Sequence, residues 1–340
     1  MQSPSVPNRW FVVLGAVLIQ LSLGAIYAWS VFTPALKTAG WSKLETQIVF
    51  AVGLATFAVV MVFAGRLLTI MGPRKLAIAG GLTLGSGYVI AGLFGATDFW
   101  AVCIGVGLIG GAGIGLGYVV PIAVGMRWFP DKKGMITGLA VAGFGFGAMG
   151  WVKVAGSWGQ LIENHGLAST FLYYGIAYAA LILIGSIWMR QPPAGWQPPG
   201  FEASSPAAAK GQENFTIGEM LRTPQFYIIF LTFAVSAGAG LMSIGLMKLY
   251  PMESLQANGY SAIEASAIAG TAMAVFFSLA NGIGRIAWGT LSDLMGRRRS
   301  VIIMTSSQAL FLFAFTNMAG NEYLLYICLL YTSDAADDLA

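Results

Sequence analysis

The sequence predicts an all-α, polytopic membrane protein with nine complete transmembrane helices and the start of a tenth. Three observations carry this prediction. The chain has 340 residues, of which 57% are hydrophobic and only 9% charged, with a mean hydropathy of +0.74. A soluble domain of this size needs far more charge on its surface. Residues 10–36, 46–65, 76–97, 99–126, 134–152, 169–189, 226–247, 265–284 and 300–321 contain no Asp, Glu, Lys, Arg or His. Each run is about 20 residues or slightly longer, the length that crosses a hydrocarbon core as a helix. The third observation is the placing of the basic residues between the runs.

The first run is too long for a signal-peptide core and has no small-residue cleavage site, so it is a retained first helix. With the amino terminus in the cytoplasm, Arg9, Arg66, Arg74, Lys75, Arg127, Lys132, Lys133, Arg190, Lys210, Arg222, Arg297, Arg298 and Arg299 all fall inside. Only Lys37, Lys43, Lys153 and Lys248 fall outside, a bias of 13 to 4 that alternates loop by loop. The net charge of +4 is therefore topogenic. No basic patch is interleaved with exposed aromatics, so no nucleic-acid partner is expected.

Spans one to six are joined by short connections and form one half, residues 1–190. Span four carries Gly105, Gly107, Gly110, Gly111, Gly113, Gly115 and Gly117, and span five carries Gly138, Gly143, Gly145, Gly147 and Gly150. Small residues let transmembrane helices approach closely. Gly105–Gly110 matches G-x-G-x-x-G, but it lies inside an apolar run with no strand before it, so a dinucleotide site is rejected. Residues 191–225 contain Gln191-Pro192-Pro193-Ala194-Gly195-Trp196-Gln197-Pro198-Pro199-Gly200 and then Ser/Ala-rich sequence, which reads as a cytoplasmic linker. Thr216 and Glu219 predict a capping box for a short surface helix. Thr223 and Pro224 are expected as the N-cap and N1 of span seven.

Residues 226–327 hold spans seven to nine and the start of span ten. Cys328-Leu329-Leu330-Tyr331-Thr332-Ser333-Asp334-Ala335-Ala336-Asp337-Asp338 is expected to break that tenth span with a polar, acidic tail. The string resembles a translated sequencing adapter. On that resemblance residues 328–340 are expected to be non-native, and the chain an inactive piece of a longer protein. Cys103 is then the one native cysteine, and no disulfide is expected.

One pattern occurs twice, at the same point of the two hydrophobic arrays. Gly289-Thr290-Leu291-Ser292-Asp293-Leu294-Met295-Gly296-Arg297-Arg298 reads G-x-x-x-D-x-x-G-R-R. Gly65-Arg66-Leu67-Leu68-Thr69-Ile70-Met71-Gly72-Pro73-Arg74-Lys75 keeps both glycines and the basic pair, with Thr69 in place of the acid. A pseudo-repeat of this kind is what a two-halved transporter shows. The pattern resembles the loop between the second and third helices of each half in the major facilitator superfamily. That resemblance implies the major facilitator fold, truncated here from twelve helices, with Gly65, Gly72, Arg74, Gly289, Asp293, Gly296, Arg297 and Arg298 in conformational-switch loops.

Further segments narrow the resemblance. They are Asn8-Arg9-Trp10-Phe11, the stretch Leu21–Phe32, Arg127-Trp128-Phe129-Pro130-Asp131-Lys132-Lys133-Gly134, Glu219–Phe226 and Asn281-Gly282-Ile283-Gly284-Arg285-Ile286. Together, over residues 8 to about 327, they resemble the oxalate/formate antiporter family of that superfamily.

Arg285 lies inside span eight, eight residues before Asp293 and so about 12 Å from that loop along a helix. A guanidinium in mid-helix costs roughly 2.5–3.5 kcal/mol on insertion scales. It therefore either lines a wet cavity, where an anionic substrate meets its fork, or snorkels to the interface. The family resemblance implies the first, with Arg285 binding a substrate carboxylate. It also implies an aromatic cage, to which Tyr27 and Tyr118 correspond. Trp29, Tyr173, Tyr174 and Tyr178 are expected to be packing residues, and His165 to sit solvated in an external loop.

One histidine and one credible cysteine allow neither a metal cluster nor a nucleophile–base pair, so no enzyme, metal or cofactor is expected. The resulting reading is a secondary carrier of small carboxylates, oxalate/formate-like or monocarboxylates such as lactate or pyruvate. It would work by alternating access, with protons or a counter-carboxylate as coupling partner. It would be a monomer in the lipid bilayer of a prokaryotic inner membrane. A drug/proton antiporter, a sugar porter and a non-transporting membrane sensor are the alternatives. Span five lacks the Gly-Pro pair of drug/proton antiporters.

Overall fold

The computed structural model describes residues 8–156, 158–193, 196–198, 216–246 and 249–332. Lys210, Lys248, most of the linker and the acidic residues of the carboxyl tail lie outside the described residues. The chain divides into two compact units, Met1–Ala194 and Gly195–Ala340.

The first unit is a bundle of six long helices. They are α1 (Trp10–Thr38), α2 (Lys43–Met71), α3 (Pro73–Phe94), α4 (Phe99–Trp128), α5 (Lys133–Ala155) and α6 (Leu161–Ser186). α1, α2, α4 and α5 each contain one whole charge-free run and extend past it, whereas α3 and α6 start ahead of theirs and stop three residues short of the run's end. The helices meet on glycine. A Cβ at Gly85 of α3 would lie 2.6 Å from the Gly175 carbonyl oxygen of α6, and one at Gly80 would lie 2.8 Å from the Gly117 nitrogen of α4. Such approaches suit a membrane, where packing and not water exclusion drives association.

Four indoles fasten the bundle where glycine leaves no side chain to interlock. Trp29 donates to the Thr46 carbonyl (2.9 Å), Trp41 to Thr97 (2.7 Å), Trp128 to Arg190 (2.7 Å) and Trp151 to Leu21 (2.8 Å). Tyr174 and Tyr178 are fully buried and pack edge-on against Trp151, so they and Trp29 serve packing. His165 is exposed, as expected, but it is helical and not in a loop. It lies in the helical start of α6, ahead of a kink at Gly166 with φ +75°, and sets its ring edge-on to exposed Tyr173.

The second unit opens with the short α7 (Ile217–Met220), capped by Thr216 and Glu219. Hydrogen bonds from the Thr216 backbone and hydroxyl hold the Glu219 carboxyl below the usual carboxylate range. Next come α8 (Pro224–Leu246), α9 (Leu249–Ala257), α10 (Ala262–Met295), α11 (Arg297–Met318) and α12 (Glu322–Thr332). α8 begins at Pro224, as expected, and the Thr223 hydroxyl ahead of it donates to the Met220 carbonyl at the end of α7. Among the described residues, eight helices are long and apolar enough to cross a membrane, α1–α6, α10 and α11; α8 adds a shorter apolar stretch over Pro224–Ala239, and α12 follows. The expected break by the acidic tail falls on Ser333–Asp338, outside the described residues. α12 runs on to Thr332, because Cys328, Leu329 and Leu330 extend its apolar sequence, and Cys328 is buried against Phe315 and Ala319.

The internal repeat reaches further than the paired motif. α2 and α10 each begin with a full capping box, Ser42 with Glu45 and Ser261 with Glu264. Each then ends at a positive-φ glycine, Gly72 at φ +77° and Gly296 at φ +85°.

Candidate functional site

Tyr27 sits where α1 tightens into a 3₁₀ segment, Gly24–Val31. Such tightening within a helix often marks a functional hinge. Its ring packs edge-on to Phe144 of α5, with centroids 5.1 Å apart. Tyr118 of α4 meets the same Phe144 edge-on at 5.7 Å, and Phe57 of α2 at 5.3 Å. The two tyrosines singled out in the sequence are therefore joined through one ring. Phe144 is buried, whereas Tyr27 and Tyr118 are half-buried. Four helices contribute one aromatic each. Phe144 was missed in the sequence because it stands among the glycines of span five, a stretch that reads as close packing. Its local signal was being the one large side chain between Gly143 and Gly145.

Arg285 belongs to the second unit and lies within α10, nearly three turns before its end at Met295. It is only 4% exposed, so it does not snorkel. Its Nε donates to Asn281 Oδ1 at 3.1 Å, one turn earlier on the same helix. The i, i+4 spacing puts the amide and the guanidinium on one face, which explains why the N-G-x-x-R element contains those residues at that distance. A π-helical stretch, Ala272–Phe277, precedes them and sets the phase of the face.

The paired motif is not a loop in either copy. α2 runs to Met71 and α10 to Met295, so Gly65, Gly289 and Asp293 are helical. The whole turn is a single residue. Gly72 and Gly296 each donate a backbone N–H back to the preceding helix, to Leu68 and Ser292, and accept from the next, from Leu76 and Ser300. Positive φ makes such a one-residue turn inexpensive for glycine alone. In the second copy Asp293 Oδ1 lies 3.0 Å from Arg297 Nη2, and Arg297 Nη1 donates to Ser292 at 2.7 Å, so charge bridges the break. In the first copy Thr69 donates to its own helix at the Arg66 carbonyl. Arg74 and Arg298 are exposed.

Fold and repeat define a polytopic membrane transport protein. The sequence profile of the Major Facilitator Superfamily matches residues 12–335, and the chain belongs to that superfamily. Among relatives, it is 27% identical over 301 residues to an uncharacterized MFS-type transporter, YhjX, of Escherichia coli (strain K12), covering 87% of this chain and 69% of that protein. It is 26% identical over 325 residues to the oxalate:formate antiporter of Oxalobacter formigenes, covering 95% and 72%. The apicoplast pyruvate carrier 1 of Toxoplasma gondii is 24% identical, covering 94% and 74%. In fold the chain is similar to the crystal structure of the transporter FucP in the outward conformation. That match has a TM-score of 0.68 at 14% identity and covers 97% of this chain and 82% of that one.

Proposed function

We propose that this chain binds small carboxylates and belongs to a carrier that exchanges them, or co-transports them with protons, by alternating access. The observation that carries the reading is Arg285: a guanidinium buried in an apolar helix and oriented by Asn281. Held in this way, its planar fork is suited to receive a carboxylate through two charge-assisted hydrogen bonds. Within the first unit, the aromatic group of Tyr27, Tyr118, Phe57 and Phe144 is a separate candidate for carboxylate contact, with hydroxyls able to donate and rings that exclude water. The relatives named an oxalate:formate antiporter and a pyruvate carrier support this substrate class. Asp293 and Arg297, with Gly72 and Gly296, would govern the rate at which the helices change places. The basic-residue bias supports a cytoplasmic amino terminus in a prokaryotic inner membrane.

The test is binding by the purified chain, read as protection from thermal unfolding by oxalate, formate, lactate and pyruvate, with fucose and a lipophilic cation as controls. Saturable protection by carboxylates alone is expected. Protection by the sugar or the cation, and by no carboxylate, would overturn the reading.

A further inference from the structure

The Trp128–Asp131 segment has no part in the site proposed above, yet it is held by some of the most directional contacts in the first unit. Arg9, just ahead of α1, grips Asp131 with two nitrogens: Nη1 lies 3.0 Å from Oδ1 and Nη2 lies 3.4 Å from Oδ2. The guanidinium carbon sits 4.3 Å from the centroid of the fully buried Phe129 ring, and Trp10 packs edge-on to that ring at 5.1 Å. Trp128 fastens the same segment to Arg190, just past α6. Asp131 stands two residues before α5 begins at Lys133. One short segment thus ties the starts of α1 and α5 to the ends of α4 and α6.

Further along, α1 and α5 touch on glycine. A Cβ at Gly143 would lie 3.1 Å from the Val17 carbonyl oxygen, Gly147 faces the Leu21 carbonyl, and Gly24 faces the backbone of Phe144. Glycine seams allow close approach but provide no side-chain knob that resists sliding along the helix axis. Apart from the Trp151 indole on the Leu21 carbonyl, which pins the middle of this seam, axial register must then be set from the ends. Register decides whether Tyr27 on α1 and Phe144 on α5 remain in contact.

We propose that Arg9 and Asp131 are positioning residues for the aromatic group of the first unit: their ion pair helps set the register of α1 against α5 and so holds Tyr27 on Phe144. The inference rests on the reading of that aromatic group as a candidate for carboxylate contact. A planar, two-point pair over an aromatic face suits this task better than a single point charge, since it fixes orientation as well as distance.

The experiment combines a register measurement with a double-mutant cycle on the full chain. Register is read by electron–electron distance measurement between spin labels at Lys133 and Thr38, with Cys103 and Cys328 changed to Ala. Asp131→Asn and Arg9→Gln are each expected to shift or broaden that distance. The swap Arg9→Asp with Asp131→Arg is expected to narrow it again. In binding, Asp131→Asn is expected to weaken protection by the carboxylate that protects best about ten-fold in the parent, and to have little effect once Phe144→Ala has dissolved the ring contact. An unchanged distance in both single variants would overturn the proposal, as would equal ten-fold losses in the two backgrounds. Altered register in a chain that no carboxylate protects would refute the assigned function and leave the register role standing.

Discussion

Arg285 is held by Asn281, four residues earlier on the same face of α10, at 3.1 Å. This contact spends one of the five guanidinium hydrogens on orientation and points the group by an amide on its own helix. Removing the guanidinium from a desolvated carboxylate pair costs about 2–5 kcal/mol, or roughly 30-fold or more in affinity. Arg285→Ala is therefore expected to abolish carboxylate protection. Arg285→Lys keeps charge without the fork and is expected to retain at most weak binding. Asn281→Ala should fall between them. An Arg285→Ala protein that folds and is protected like the parent would remove Arg285 from the site.

Tyr27→Phe and Tyr118→Phe each delete one hydroxyl and leave the edge-on contacts with Phe144 in place. Each is expected to weaken binding by about 0.5–1.5 kcal/mol, or up to 3 kcal/mol where the bond is to a charged group. Phe144→Leu disturbs both tyrosines at once and should cost more than either. Titrations with the same carboxylate rank the three, and a silent Phe144→Leu would contradict the assigned hub.

Asp293→Asn breaks the charge that bridges Gly296, far from any proposed substrate contact. In the reconstituted full-length carrier it should slow exchange more than it weakens binding. Thr69→Ala, which loses only a bond to its own helix, should be mild. Equal turnover in Asp293→Asn and the parent counts against a role in the transport cycle.

Gly72→Ala and Gly296→Ala place a Cβ on a positive-φ, extended backbone (ψ 161° and 150°) that is essentially confined to glycine, at a cost of about 1–3 kcal/mol each. Gly65→Ala occupies a helical position with nothing within 4 Å of the new methyl and should be neutral or stabilising by up to about 1 kcal/mol. Thermal midpoints of the three variants give the order directly.

Gln20 is fully buried on α1, and neither amide atom meets a partner among the described residues. Leaving buried polar atoms without partners costs about 1–3 kcal/mol. Gln20→Met, of nearly the same shape, should therefore raise the midpoint. A lowered midpoint would show that the amide is satisfied in the folded protein.

The order of the helices was legible in the sequence because absence of charge over twenty residues has one structural meaning in lipid. The paired Gly72 and Gly296 were legible as a repeat, but the turn looked like a loop, since sequence does not show that one positive-φ residue suffices. Ser42-x-x-Glu45 and Ser261-x-x-Glu264 carried a readable capping signal that went unused. Arg285 could be located but not oriented: snorkelling and burial predict the same spacing, and only packing around the helix separates them. The pairing of Arg9 with Asp131 spans 122 residues, and no local pattern encodes a contact at that separation.

The indole anchors have an optical consequence. Trp29, Trp41, Trp128 and Trp151 each give their N–H to a carbonyl on another segment, and the first three are almost fully enclosed. A tryptophan so placed emits at short wavelength, and water reaching the ring shifts its colour to the red. The first unit thus contains four native lamps, each on a different joint. Versions retaining one lamp at a time would show, in ordinary fluorescence and without any added dye, which joint loosens first when heat, detergent or a ligand disturbs the bundle.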